Sequence, residues 1–195
     1  MKYLKFISLL FVCTLGSLFV SCEETAEVDE YANWKERNVA FIYSIAKTAQ
    51  INNDGKWLRL LSTNLNSTDI AGNPVEHAPE NYVYCHIEKE GNDTIHPLTT
   101  VSANYRGRLI PTTSYPEGKI FDESYRGALN QATNKPVEFS LDGVIDGWYI
   151  ALRQMVEGDI WRVYIPAKLG YGSTDKTNIP ANSTLIFDIN VVDVE

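Results

Sequence analysis

Val144-Ile145-Asp146-Gly147-Trp148, followed by Ile165-Pro166, Tyr171-Gly172, Ile179-Pro180 and Thr184-Leu185-Ile186-Phe187, is the part of this sequence that decides its fold. It sets a Trp, a Tyr and a Phe on successive elements of one small domain, with no His, Cys or metal-ligand cluster beside them. Rings without ligating or nucleophilic neighbours point to an apolar pocket that binds and holds. Around Trp148 the residues Ile145, Tyr149 and Leu152 fall at helical spacing, and Glu157-Gly158-Asp159 ends the run. In the last stretch Leu185, Phe187, Ile189 and Val191 alternate with Ile186, Asp188, Asn190 and Val192, the period of a strand with one face on a core.

Working backwards, Tyr82 to Glu88 and Val101 to Leu109 also read as strands, with Gly91-Asn92-Asp93 as a turn between them. Several strands with a single short helix predict an α+β fold, an antiparallel sheet curled over that helix. The domain is expected over 81–195. Before it, Tyr31, Trp34, Phe41, Ile42, Ile45 and Ala49 recur at spacings of three, four and seven, which predicts an amphipathic helix over 31–49. Asp29 is placed to cap that helix, and Asn52-Asn53-Asp54-Gly55 to end it. Its apolar stripe must rest either on the main domain or on a second copy in a homodimer. Apart from a brief Trp57-Leu58-Arg59-Leu60-Leu61, the rest of this 31–80 extension is rich in Ser, Thr, Asn, Pro and Gly and reads as irregular wrapping.

The chain of 195 residues has room for one domain of about 100–150 residues plus an appendage. Its 25 acidic against 17 basic residues leave a net charge of −8, so no basic stripe is available for a phosphate backbone and nucleic acid is an improbable partner. At the start, Lys2 and Lys5 precede an apolar stretch from Phe6 to Val20 that falls short of a span of about 20 residues. This reads as an export signal over 1–21. It closes on Phe19-Val20-Ser21-Cys22, which resembles a bacterial lipobox and implies lipidation at Cys22, hence a membrane anchor at the cell envelope. A plain secretory signal with an incidental Cys is the alternative. The acidic segment 22–30 that follows reads as a tether. Cys85 then remains without an internal partner, among apolar neighbours that suit a small buried hydrophobe. His77, His86 and His96 are too scattered for a metal site, and no cofactor is expected.

Further landmarks stand in order: Asn104-Tyr105-Arg106-Gly107, then Gly118-Lys119-Ile120-Phe121-Asp122-Glu123-Ser124, then Lys135-Pro136-Val137-Glu138-Phe139, then the helix of Trp148, Leu169-Gly170-Tyr171-Gly172 and the closing Leu185-Ile186-Phe187-Asp188. From about residue 82 onward this order resembles the FKBP-type peptidyl-prolyl isomerases. The resemblance implies an enzyme that turns X-Pro bonds in proline-containing polypeptides. It implies Trp148 as the floor of the pocket, Tyr105, Phe121 and Phe187 as walls, and Asp122 as a polarising neighbour. It further implies Val137, Val144 and Ile145 as lining, Ile179 as a cover, a hydrogen bond from the Tyr171 hydroxyl, and another from the Ile145 N–H. Two stretches, 111–116 and 127–133, are longer than in compact members and are expected near the pocket rim. At the envelope such a protein would assist the folding of exported proteins. Were the rim segments to cap the pocket, it would instead be a catalytically weak binding module in an envelope complex.

Overall fold

The computed structural model describes residues 29–195. Their elements run α1 (Trp34–Ile51), β1 (Trp57–Leu61), β2 (Tyr82–Lys89), β3 (Thr100–Arg108), β4 (Ile120–Glu123), β5 (Val137–Ser140), α2 (Asp146–Leu152), β6 (Ile160–Ile165) and β7 (Leu185–Val194). All seven strands join one antiparallel sheet in the order β1-β2-β6-β7-β3-β4, with β5 also paired to β3. The fold is the expected α+β sheet over a short helix. Cys22, where lipidation is expected, the expected signal over 1–21 and most of the expected tether over 22–30 lie outside the described residues.

Alternation along the strands assigns each side chain to a face. Val83 and Cys85 of β2, Trp161, Val163 and Ile165 of β6, and Leu185, Phe187, Ile189 and Val191 of β7 turn toward α2 and form the main core. Tyr82, Tyr84 and Tyr164 turn the other way, where Ile42 and Ala49 of α1 cover them. The sheet is thus packed between two helices at its β1–β2 end. Burial of Cys85 pushes its thiol pKa up, in keeping with a small hydrophobe.

α1 rests on its own domain, the first of the two expected arrangements. Its buried stripe is Trp34, Asn38, Ile42 and Ala49, and it includes a polar residue that periodicity alone would not place there. Asn38 earns its burial through hydrogen bonds: its Oδ1 accepts the Thr184 N–H at 2.7 Å and its Nδ2 donates to the Trp34 carbonyl at 2.7 Å. The Trp34 indole N–H donates to Ser183 Oγ at 2.9 Å. The start of α1 differs from expectation. Asp29 Oδ1 accepts the Tyr31 N–H at 3.0 Å and closes a preceding turn, and the helix begins only at Trp34, after Asn33 in the left-handed region. At the other end Asn52, also left-handed, donates its N–H to the Thr48 carbonyl at 3.0 Å, as the Asn-rich run foretold.

The brief apolar run 57–61 is a full strand. β1 pairs with β2 from Trp57↔His86 to Leu61↔Tyr82, so the boundary expected at 81 passes through the sheet. α2 is shorter than its periodicity suggested, ending at Leu152 before the turn through Gly158. Gly147 lets it lie close on β6: a Cβ there would stand 2.3 Å from Ile165 Cγ2.

Candidate active site

α2 turns Trp148 into the concave side of the sheet, where it is 5% exposed. Three strands each bring a ring to it, and a fourth strand adds one behind them. Tyr105 of β3 stands edge-on at 5.4 Å between centroids, Phe187 of β7 edge-on at 5.2 Å, and Phe139 of β5 tilted at 4.9 Å. Phe121 of β4 completes the wall, edge-on to Phe187 at 5.5 Å. Edge-to-face packing is the arrangement the ring quadrupoles favour. The result is a cup of about 280 Å³. Val144, Ile145 and Tyr171 line its mouth together with Gly143.

Polar groups at this cup are few. The Tyr105 hydroxyl donates to Asp122 Oδ2 at 2.7 Å. Burial, then the hydrogen bond to Asp122 and its charge, hold the Tyr105 phenol well above its ordinary pKa, so it stays a donor. Ile145 precedes α2 in an extended conformation, and its N–H has no acceptor among the described residues. A larger hollow of about 380 Å³ lies between α1 and the loops at Asn81 and Lys168, but no aromatic ring lines it. It offers no ring face against which a proline could rest.

Eight of the ten residues expected at the site therefore meet in one cavity, Tyr105, Phe121, Asp122, Val144, Ile145, Trp148, Tyr171 and Phe187. Val137 and Ile179 do not. Val137 shares the inward face of β5 with Phe139, but alternate residues on a strand stand roughly 7 Å apart, and it is Phe139 that reaches Trp148. Val137, opposite Ala103 at the strand's start, is 40% exposed and outside the cup. Ile179 is 6% exposed in the main core, held there by a tight turn in which it exchanges backbone hydrogen bonds with Lys176 at 2.9 and 3.0 Å. Phe139 is a cup ring to which the resemblance assigned no role. The signal was present, an aromatic two residues along the face from Val137.

Neither long rim segment lines the cup. The stretch 111–116 is drawn to the N-terminal extension instead: Ser114 donates to Glu30 Oε1 through its N–H at 3.1 Å and also through its hydroxyl, and Arg37 reaches the Pro111 carbonyl at 3.4 Å. The stretch 127–133 is anchored at its start, where Arg106 Nη2 donates to the Gly127 carbonyl at 2.7 Å.

Residues 91–192 match the family of FKBP-type peptidyl-prolyl cis-trans isomerases, and the chain belongs to that family. FkpA, an FKBP-type peptidyl-prolyl cis-trans isomerase of Escherichia coli (strain K12), is 37% identical over 113 residues, which are 58% of this chain and 37% of that protein. A probable FKBP-type peptidyl-prolyl cis-trans isomerase of Haemophilus influenzae is 42% identical over 110 residues, 55% of this chain and 41% of that one. Among solved structures, a peptidyl-prolyl cis-trans isomerase from Pseudomonas syringae pv. tomato superposes with a TM-score of 0.54 at 25% identity, covering 82% of this chain and 94% of that one. The chain thus matches about two fifths of the length of these curated relatives. α1, β1 and β2 precede the residues matched to the family.

Proposed function

We propose that this chain catalyses the cis–trans isomerisation of X-Pro bonds in polypeptides. The observation that carries the proposal is the convergence of Tyr105, Phe139 and Phe187 on Trp148 in an open, nearly donor-free cup. Rotation about a peptide bond meets a barrier of roughly 18–20 kcal/mol because resonance stiffens it. For X-Pro the two end states differ by only about 0.5–1 kcal/mol, so a catalyst has no bond to break. It must bind the twisted amide better than either planar form. Twisting removes conjugation, which makes the carbonyl less polar and less dependent on water. A site walled by ring edges favours that state over the planar amide, which loses its solvation on entering. The proline ring rests on the Trp148 face, and the Ile145 N–H and the Tyr171 hydroxyl donate to substrate carbonyls. Asp122 keeps the Tyr105 hydroxyl turned to itself and so fixes the wall.

The place of action follows from residues 1–30: an export signal, Cys22 at its lipobox-like end and an acidic tether support a lipid-anchored isomerase that assists exported proteins at the envelope. Two experiments separate the activity from its location. Isomerisation of a proline peptide by the full chain in mild detergent tests the first. Incorporation of labelled fatty acid, abolished by Cys22→Ser, tests the second, and labelling of the variant would refute the anchor.

A further inference from the structure

β1 is an edge strand, paired with β2 alone. Its phase is fixed by two hydrogen bonds that bracket it, Ile87 N–H to the Lys56 carbonyl at 2.9 Å and Ser62 N–H to the Asn81 carbonyl at 2.8 Å. In an antiparallel pair, bonded positions alternate along the strand. Leu58 and Leu60 therefore aim their backbone groups at β2, while Trp57, Arg59 and Leu61 aim theirs outward. At Trp57 the outward groups are occupied. Asn52 Oδ1 accepts the Trp57 N–H at 3.0 Å, and Asn52 Nδ2 donates to its carbonyl at 3.3 Å, so a side-chain amide stands where an added strand would begin. At Arg59 and Leu61 the outward N–H and C=O groups have no partner among the described residues.

Beside this open edge lies a hollow of about 360 Å³ between β1 and the end of α2. Leu60, Leu61, Tyr149 and Ile150 make it apolar, and its only charged side chains are Arg59 and Arg153. Arg59 meets Glu76 at 3.1 Å. Arg153 donates to the Tyr149 hydroxyl at 2.9 Å and has no carboxylate partner among the described residues. The lining of the hollow thus carries two cations and no carboxylate, and with Arg59 held by Glu76, Arg153 is the one left without a counter-charge among the described residues.

We propose that the outer edge of β1 and the end of α2 form a second polypeptide-docking groove, which takes an extended acidic segment as an added strand. Backbone pairing at Arg59 and Leu61 supplies affinity, the apolar floor takes alternate side chains, and Arg153 selects for a carboxylate. The groove's use in catalysis rests on the isomerase reading above; the binding itself does not. One helix serves both sites. Ile145, just before α2, lines the aromatic cup and Arg153, just after it, the groove; the helix between them, at about 1.5 Å per residue, sets them at least roughly 10 Å apart. A strand advancing about 3.3 Å per residue covers that in roughly three residues. A client held at the edge would keep its X-Pro bond near Trp148 at high local concentration.

Fluorescence anisotropy with a labelled, proline-free Val/Thr/Glu peptide, and with its Val/Thr/Lys counterpart, tests the groove on the full chain in mild detergent. The acidic peptide is expected to bind more tightly than the basic one. Arg153→Glu should weaken it roughly five-fold, within the range of an exposed ion pair. Leu61→Pro removes one outward donor while sparing the bonds to β2, a replacement that edge strands tolerate, and should abolish binding with the fold retained by circular dichroism. Equal binding of the two peptides, or acidic-peptide binding unchanged by Arg153→Glu, would overturn the proposal even if Leu61→Pro failed to fold. Wild-type turnover without peptide binding would remove the groove alone. Peptide binding without turnover would remove the isomerase reading alone.

Discussion

The Tyr105 hydroxyl and the Asp122 carboxylate, 2.7 Å apart, tie two adjacent strands together across the cup: Tyr105 stands on β3 and Asp122 on β4. A hydrogen bond to a charged acceptor contributes about 1.5–3 kcal/mol. Part of that holds the Tyr105 ring edge-on to Trp148. Tyr105→Phe keeps the ring and loses the tie. It is expected to lower kcat/KM about ten-fold, equivalent to roughly 1.4 kcal/mol, while the protein stays folded. Because this phenol titrates above its ordinary value of 10.0, the wild-type rate should show no loss from ionisation of Tyr105 on approach to that pH. A peptide assay across pH checks both expectations.

Gly107 supports the same wall from beneath. A Cβ there would stand 2.6 Å from the Phe121 ring and 2.7 Å from the Phe187 ring. Gly107→Ala therefore forces two cup rings outward, an overpacking that costs about 1–3 kcal/mol. Chemical denaturation should show the loss, and isomerase activity should fall further than Tyr105→Phe lowers it.

Docking of α1 depends on one amide. Asn38→Ala leaves the Thr184 N–H buried without its acceptor, at a cost of about 1–3 kcal/mol. Thermal melting should report that loss, while kcat/KM on a short proline peptide stays unchanged, since α1 does not line the cup.

His86 places both ring nitrogens on carboxylates, Nε2 at 2.8 Å from Asp54 and Nδ1 at 3.0 Å from Glu88. Only the imidazolium can donate to both. Burial opposes the charge, but these hydrogen bonds outweigh it and raise the pKa above the ordinary 6.5. A raised folded-state pKa means stabilisation fully present below about 6.5 and lost as pH climbs through the higher folded value. Unfolding free energy of the wild type should fall over that interval by more than that of His86→Gln. Parallel pH profiles for the two proteins would count against the pairing.

Much of the core and the cup was legible because it rests on short-range rules. Alternation from Leu185 to Val192 assigned the β7 face, and helical spacing about Trp148 located α2. β1 was opaque for a physical reason. Leu58 and Leu60 face the main core while Trp57 and Leu61 face α1, so burial on both sides erased the alternation that marks a half-exposed strand. Asn38 was unreadable because its burial depends on Thr184, distant in sequence, and the destination of the 111–116 stretch depends on Glu30 and Arg37 in the same way. The resemblance pointed to Val137; Phe139 lies on the same face of β5, and only the placement of Trp148 decides which of the two reaches it.

The central claim, that the aromatic cup on Trp148 turns X-Pro bonds, is tested most directly by protease-coupled isomerisation of a proline tetrapeptide with the wild type and with Trp148→Phe, a replacement that keeps an aromatic floor of smaller area. The wild type is expected to accelerate the reaction over buffer, and the variant to show a clear loss with its circular dichroism unchanged. A folded wild type whose rate equals that of buffer, or a variant as fast as the wild type, would contradict it.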